Sequence, residues 1–190
     1  MKTAIILHGM PDKEDYLNPD KPAESNSHWL PWIQKQLILR EVLAQAIEFP
    51  EPYEPVYQKW REVFEQFKID SKTMLIGHSC GAGFLVRWLS ENKKEAGTVV
   101  LIAPWLDPFH ELKSGFFDFK IDSKLTERVK KLIVFYSESD HADVISSAQQ
   151  IKEKFSQADF RELEDMGHFT FKDMKTDEFP ELLEVLKGEF

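Results

Sequence analysis

The segment Gly77-His78-Ser79-Cys80-Gly81 sets a hydroxyl between two glycines, just after the apolar run Met74-Leu75-Ile76 and just before an amphipathic stretch. A G-x-S-x-G turn between a strand and a helix holds its serine in a strained conformation with the side chain exposed for nucleophilic attack. The flanking glycines remove Cβ atoms that would clash in such a turn. The helix that follows turns its N–H groups toward an oxyanion developing on a substrate. Ser79 is therefore the expected nucleophile. Cys80 lies one step past the apex, where a side chain points away, so its backbone N–H is expected as one oxyanion donor.

A serine hydroxyl needs a general base, and the base needs an orienting carboxylate. In chain order the acid and then the histidine follow this kind of serine turn. Three histidines lie after Ser79: His110, His141 and His168. His168 stands in Asp165-Met166-Gly167-His168-Phe169, where Gly167 allows a tight turn that could swing the ring toward Ser79. His110 and His141 read as surface or pocket-rim residues. Asp140 ends the run Phe135-Tyr136-Ser137-Glu138-Ser139-Asp140 and is the expected acid. Asp143 is its competitor, and Glu138 a lesser one. The second oxyanion donor is expected from His8-Gly9-Met10, with the Met10 N–H preferred over Gly9. His8 itself reads as a packing or hydrogen-bonding residue.

Positioning these groups requires a sheet. Short β-branched runs alternate with longer amphipathic stretches, the pattern of βαβ units. Strands are expected at 3–7, 44–49, 73–77, 98–102, 132–136 and 159–163. Helices are expected at 29–39, with Ser27 as N-cap, and at 57–67, 80–90, 144–155 and 179–186. Six strands with interleaved helices imply an α/β class fold, a three-layer sandwich on a doubly wound, mostly parallel six-stranded sheet, with functional residues at the carboxyl ends of strands. One domain over 1–190 is expected. Residues 103–128 break the rhythm and are rich in aromatics, making them a candidate lid or pocket segment. Trp105, Phe116 and Phe117 are the expected substrate-binding residues, against the alternative that they pack on the sheet edge.

Composition narrows the function classes. The net charge of −9 argues against nucleic acid and anionic membranes, both of which need a basic face. Cys80 is the only cysteine, so no intramolecular disulfide and no cysteine-built zinc site can form. No metal or cofactor motif is present, since Gly81-Ala82-Gly83 falls inside the serine turn and helix. No apolar stretch approaches the ~20 residues that span a bilayer. No signal peptide is read at the N-terminus, and a reducing cytoplasm is the expected compartment. A monomer or weak homodimer is the expected assembly.

Taken together, these motifs resemble the α/β-hydrolase superfamily, and within it the small serine hydrolases of the retinoblastoma-binding protein 9 and YdeN type. Ser27-His28-Trp29-Leu30-Pro31-Trp32, Phe49-Pro50-Glu51-Pro52, the serine turn, the acid loop and Gly167-His168-Phe169 carry the resemblance over nearly the whole chain. It implies a triad of Ser79, Asp140 and His168, and a sheet lacking the first two strands of larger relatives. It also implies esterase or amidase action on a small-molecule substrate. An aminopeptidase using the same triad is the neighbouring alternative, and a catalytically idle binding module the alternative from another class. The family carries a proline after its aspartate, where this chain has His141-Ala142-Asp143, so Asp143 stays in contention. The first loop also lacks the family's run of glycines.

Overall fold

Strands that are apolar along their whole length must be covered on both faces. The computed structural model, which describes residues 1–190, places them in one six-stranded sheet. The strands are β1 (Thr3–Leu7), β2 (Leu43–Ile47), β3 (Thr73–His78), β4 (Ala96–Ile102), β5 (Val129–Tyr136) and β6 (Asp159–Glu162). Their order is β2-β1-β3-β4-β5-β6, and all five pairings are parallel. Every residue of β3 and β4 is buried, as central strands between two helical layers require.

The connecting helices are α1 (Lys13–Tyr16), α2 (Leu30–Ile38), α3 (Tyr57–Phe64), α4 (Cys80–Asn92), α5 (Ala142–Lys154), α6 (Phe171–Met174) and α7 (Pro180–Leu186). From β1 the chain winds outward to β2, then crosses back to β3 and proceeds to β6. Right-handed crossovers then put helices on opposite faces for the two directions. Contacts agree: α2 meets α7 on one face, and Phe64 of α3 packs on Phe84 and Trp88 of α4 on the other. The winding reverses between β1 and β3, and the crevice at their carboxyl ends is the natural place for a ligand.

Several boundaries differ from expectation for local reasons. Helix α2 is capped by Trp29 instead of Ser27, whose hydroxyl donates to the Ala23 carbonyl at 3.3 Å. Strand β2 ends at Ile47, leaving Phe49 free to stack on Trp60 with ring centroids 4.0 Å apart. Strand β5 starts at Val129, three residues early, because β4 continues to pair with it as far as Ala96. The short helices α1 and α6 carry no apolar periodicity that could have announced them.

Segment 103–128 contains only a 3₁₀ turn at Leu125–Glu127. It is fastened to α4 by Arg87, whose guanidinium donates to the Gly115 and Phe116 carbonyls at 2.8 and 2.6 Å. Phe116 is fully buried and packs edge-on to Trp60 at 5.0 Å.

Candidate active site

Strand β3 turns into α4 at Ser79, whose φ of 52° and ψ of −119° lie outside the regions a non-glycine residue adopts easily. Such a conformation costs on the order of 1–3 kcal/mol and survives only where neighbours over-determine it. Here the Ser79 N–H donates to the Ile102 carbonyl at 2.9 Å. Its own carbonyl accepts from Gly83 at 3.1 Å and from Trp105 at 3.2 Å. The glycines on either side are dictated by contact. A Cβ on Gly77 would lie 2.7 Å from Ala82 Cα, and one on Gly81 would lie 2.3 Å from the His8 carbonyl oxygen.

Ser79 Oγ lies 2.9 Å from His168 Nε2. His168 Nδ1 lies 2.9 Å from Asp140 Oδ1 and 3.1 Å from Oδ2. A carboxylate only accepts, so Nδ1 carries the proton and Nε2 is left to accept from the Ser79 hydroxyl. The Asp140 side chain is 1% exposed and also accepts the His141 N–H at 2.6 Å. Asp143 takes no part in this chain of bonds. It sits in the first turn of α5, where its carbonyl accepts the Ser147 hydroxyl. This relay can draw a proton off Ser79 and hold the resulting imidazolium beside a buried carboxylate.

The loop bearing His168 is fastened at four successive residues, Gly167 to Thr170. The Gly167 N–H donates to Ser139 Oγ at 3.0 Å, tying it to the acid loop. The His168 N–H donates to Asp173 Oδ2 at 3.0 Å, and the Thr170 hydroxyl donates to the same oxygen at 2.8 Å. Partial burial pushes the Asp173 carboxyl upward, but these bonds win and hold it below the ordinary range. The Trp29 indole N–H donates to the Phe169 carbonyl at 3.0 Å. Sequence reasoning missed these supports, since none falls near His168 in a periodic pattern except the Thr170/Asp173 cap.

The two expected oxyanion donors sit at the start of α4 and in the loop after β1. Cys80 is the first residue of α4, so its N–H has no intrahelical acceptor. Its thiol is fully buried, and burial, then the Asp107 charge, pushes its pKa well up. Such a thiol is not ionised near neutrality and is a poor nucleophile. Met10 stands at the mouth of the site, 38% exposed. His8 governs its peptide. His8 Nε2 accepts the Phe49 N–H at 3.0 Å, so Nδ1 carries the proton and donates to the Gly9 carbonyl at 2.7 Å. Burial lowers the His8 pKa and keeps this neutral form. The Gly9 carbonyl and the Met10 N–H belong to one trans peptide unit, so fixing one direction fixes the other.

A cavity of about 530 Å³ opens over Ser79 and His168. Its walls come from the loop after β1 and from the histidine loop. Met10 is its one apolar side chain besides prolines. The lining is mostly polar and includes the charged groups Asp12, Asp15, Glu24, Lys21, Lys172 and Asp173. Glu24 is half-buried, and desolvation, reinforced by Glu48 and Asp15, raises its pKa to about 7. Trp105, Phe116 and Phe117 do not line this cavity, contrary to the expectation from sequence. No residue of 103–128 lines this cavity. Phe117 and Trp105 pack edge-on at 5.5 Å, close against Gly83 of α4. Their apolar area went to covering α4.

A family model described as serine hydrolase matches residues 19–188. The chain belongs to the serine hydrolase family. Among relatives of this serine hydrolase, the protein YdeN of Bacillus subtilis strain 168 is 27% identical over 188 residues, covering 94% of this chain and 96% of YdeN. The crystal structure of the B. subtilis ydeN product superposes with a TM-score of 0.84 at 23% identity, covering 100% of this chain and 99% of that one. Est1E of Butyrivibrio proteoclasticus with ferulic acid bound gives a TM-score of 0.68 at 12% identity, covering 99% and 87%. Both structures share the α/β-hydrolase fold with this chain. No helix of this serine hydrolase is long and apolar enough to cross a membrane.

Proposed function

We propose that the protein hydrolyses small, polar carboxylic esters, and amides more slowly, through an acyl-enzyme on Ser79. The observation that carries this reading is the continuous bond chain Ser79 Oγ–His168 Nε2 and His168 Nδ1–Asp140. Ser79 Oγ attacks the substrate carbonyl carbon as its proton passes to His168 Nε2. The oxyanion accepts from the N–H groups of Cys80 and Met10. As the tetrahedral intermediate collapses, the bond to the leaving alcohol or amine breaks and His168 returns the proton to it. Water, deprotonated by the same ring, then attacks the acyl carbon and frees Ser79. The Asp140 carboxylate steadies the imidazolium.

The polar lining supports hydrophilic substrates with short acyl groups over lipid esters, because Asp12, Asp15, Lys21 and Glu24 offer no apolar wall for a long chain. The test is labelling with a fluorophosphonate, identification of the modified residue by mass, and an ester panel graded in acyl length. Label on Ser79, its absence in Ser79→Ala, and faster turnover of acetyl than octanoyl esters are expected. Undiminished esterase activity in Ser79→Ala would sink the reading.

A further inference from the structure

His78 stands next to the nucleophile in sequence but reaches across to the base. Its Nε2 lies 2.8 Å from the His168 carbonyl oxygen, 90 residues away. A carbonyl only accepts, so His78 Nε2 carries the proton and donates. The ring is 3% exposed. It is wedged edge-on between Trp29, at 5.8 Å, and His28, at 5.9 Å, with the His168 ring 5.1 Å away. Burial, then the neighbouring His168 and His28, drives its pKa well below the ordinary value, so it stays neutral.

We infer that His78 is a positioning residue that sets the distance between nucleophile and base, by holding the His168 peptide through its carbonyl from the turn that presents Ser79. The inference rests on the proposed roles of Ser79 and His168. The other bonds to this loop act elsewhere: Asp173 on the His168 N–H, Trp29 on the next carbonyl, and Ser139 on Gly167. None of them connects the loop to the strand that carries Ser79. Through His78, a displacement of the serine turn carries the His168 backbone with it. A proton relay loses rate steeply when its partners separate by a fraction of an ångström, while substrate binding, which draws on the rest of the cavity, changes little.

The test compares His78→Leu, His78→Gln and His78→Asn in the full chain, with folding checked by circular dichroism. Glutamine carries an amide N–H at about the reach of imidazole Nε2; asparagine falls short, and leucine has no donor. His78→Leu and His78→Asn are expected to lower kcat by ~10- to 100-fold with KM near wild type, and to slow fluorophosphonate labelling of Ser79 in proportion. His78→Gln is expected to recover most of kcat. Should the leucine variant fail to fold, the glutamine–asparagine pair decides alone, since the two differ only in reach. Equal kcat in those two variants, or wild-type kcat in His78→Leu, overturns this inference and leaves the serine mechanism standing. A wild-type protein that neither labels nor turns over any ester overturns both.

Discussion

The carboxylate of Asp140 meets His168 Nδ1 at 2.9 Å with its side chain sealed from solvent, while Asp143, in the first turn of α5, makes no bond to the ring. The two aspartates lie three residues apart, and only Asp140 bonds the imidazole. Asp140→Asn is expected to leave the fold intact and lower kcat by up to ~10⁴, because an amide can offer its N–H to Nδ1 and stabilise the wrong tautomer. Asp143→Asn is expected to stay near wild type. Steady-state assays of the two purified variants rank them, and the reverse order would move the acid role to Asp143.

Cys80 supplies a second discrimination. Cys80→Ala keeps the backbone N–H and removes only a buried, protonated thiol. Turnover is expected within a few-fold of wild type, with some loss of thermal stability from the small void. A loss of activity matching that of Ser79→Ala would assign the nucleophile to the thiol instead.

Gly9 faces Ser79 directly. An added Cβ would lie 3.0 Å from Ser79 Cβ and 3.6 Å from Ser79 Oγ. Gly9→Ala is therefore expected to push the hydroxyl off its line to His168 and lower kcat by about tenfold or more. Since β1 ends before this position, Tm should change little. Unchanged kcat in the alanine variant would mean the loop yields without moving Ser79.

The aromatic segment makes a prediction of the opposite kind. Phe116 is fully buried against Trp60 and Phe84 and does not reach the cavity. Phe116→Ala is expected to cost about 3–5 kcal/mol of stability, measured by denaturant unfolding, with KM for a short ester unchanged. A raised KM with intact stability would restore this residue to the substrate pocket.

Glu24 couples the cavity to pH. Its pKa rises from 4.5 unfolded to about 7 folded, chiefly through burial. Within that window the folded state holds a proton the unfolded chain has released, so stability falls as pH rises. Glu24→Gln removes this contribution. The Tm of the variant relative to wild type is expected to climb as pH increases from about 4.5 to about 7 and then level off. A difference independent of pH would show that Glu24 titrates as an exposed carboxylate.

Much of this architecture was legible in the sequence because it is written in local periods. Continuous apolar runs such as Thr3–Leu7 and Thr98–Ile102 specify buried strands, and the spacing of Phe84, Leu85, Trp88 and Leu89 specifies the buried face of α4. Ser79 at a strand–helix junction between glycines is likewise a local statement, since the clashes that demand Gly77 and Gly81 arise within a few residues of the turn or from the adjacent β1. His168 and Asp140 are expected partners of Ser79 from chain order and resemblance; the tertiary structure supplied their distances and, alone, the meetings of His78 with the His168 carbonyl and of His8 with Phe49. The same holds for the walls of the cavity. Trp105, Phe116 and Phe117 read as substrate-binding, against packing on the sheet edge, because hydrophobic burial has no direction and does not name the partner. The packing of α3 and α4 took Phe116 into the core and left Phe117 half-buried against it, and the polar loop after β1 was left to face the serine.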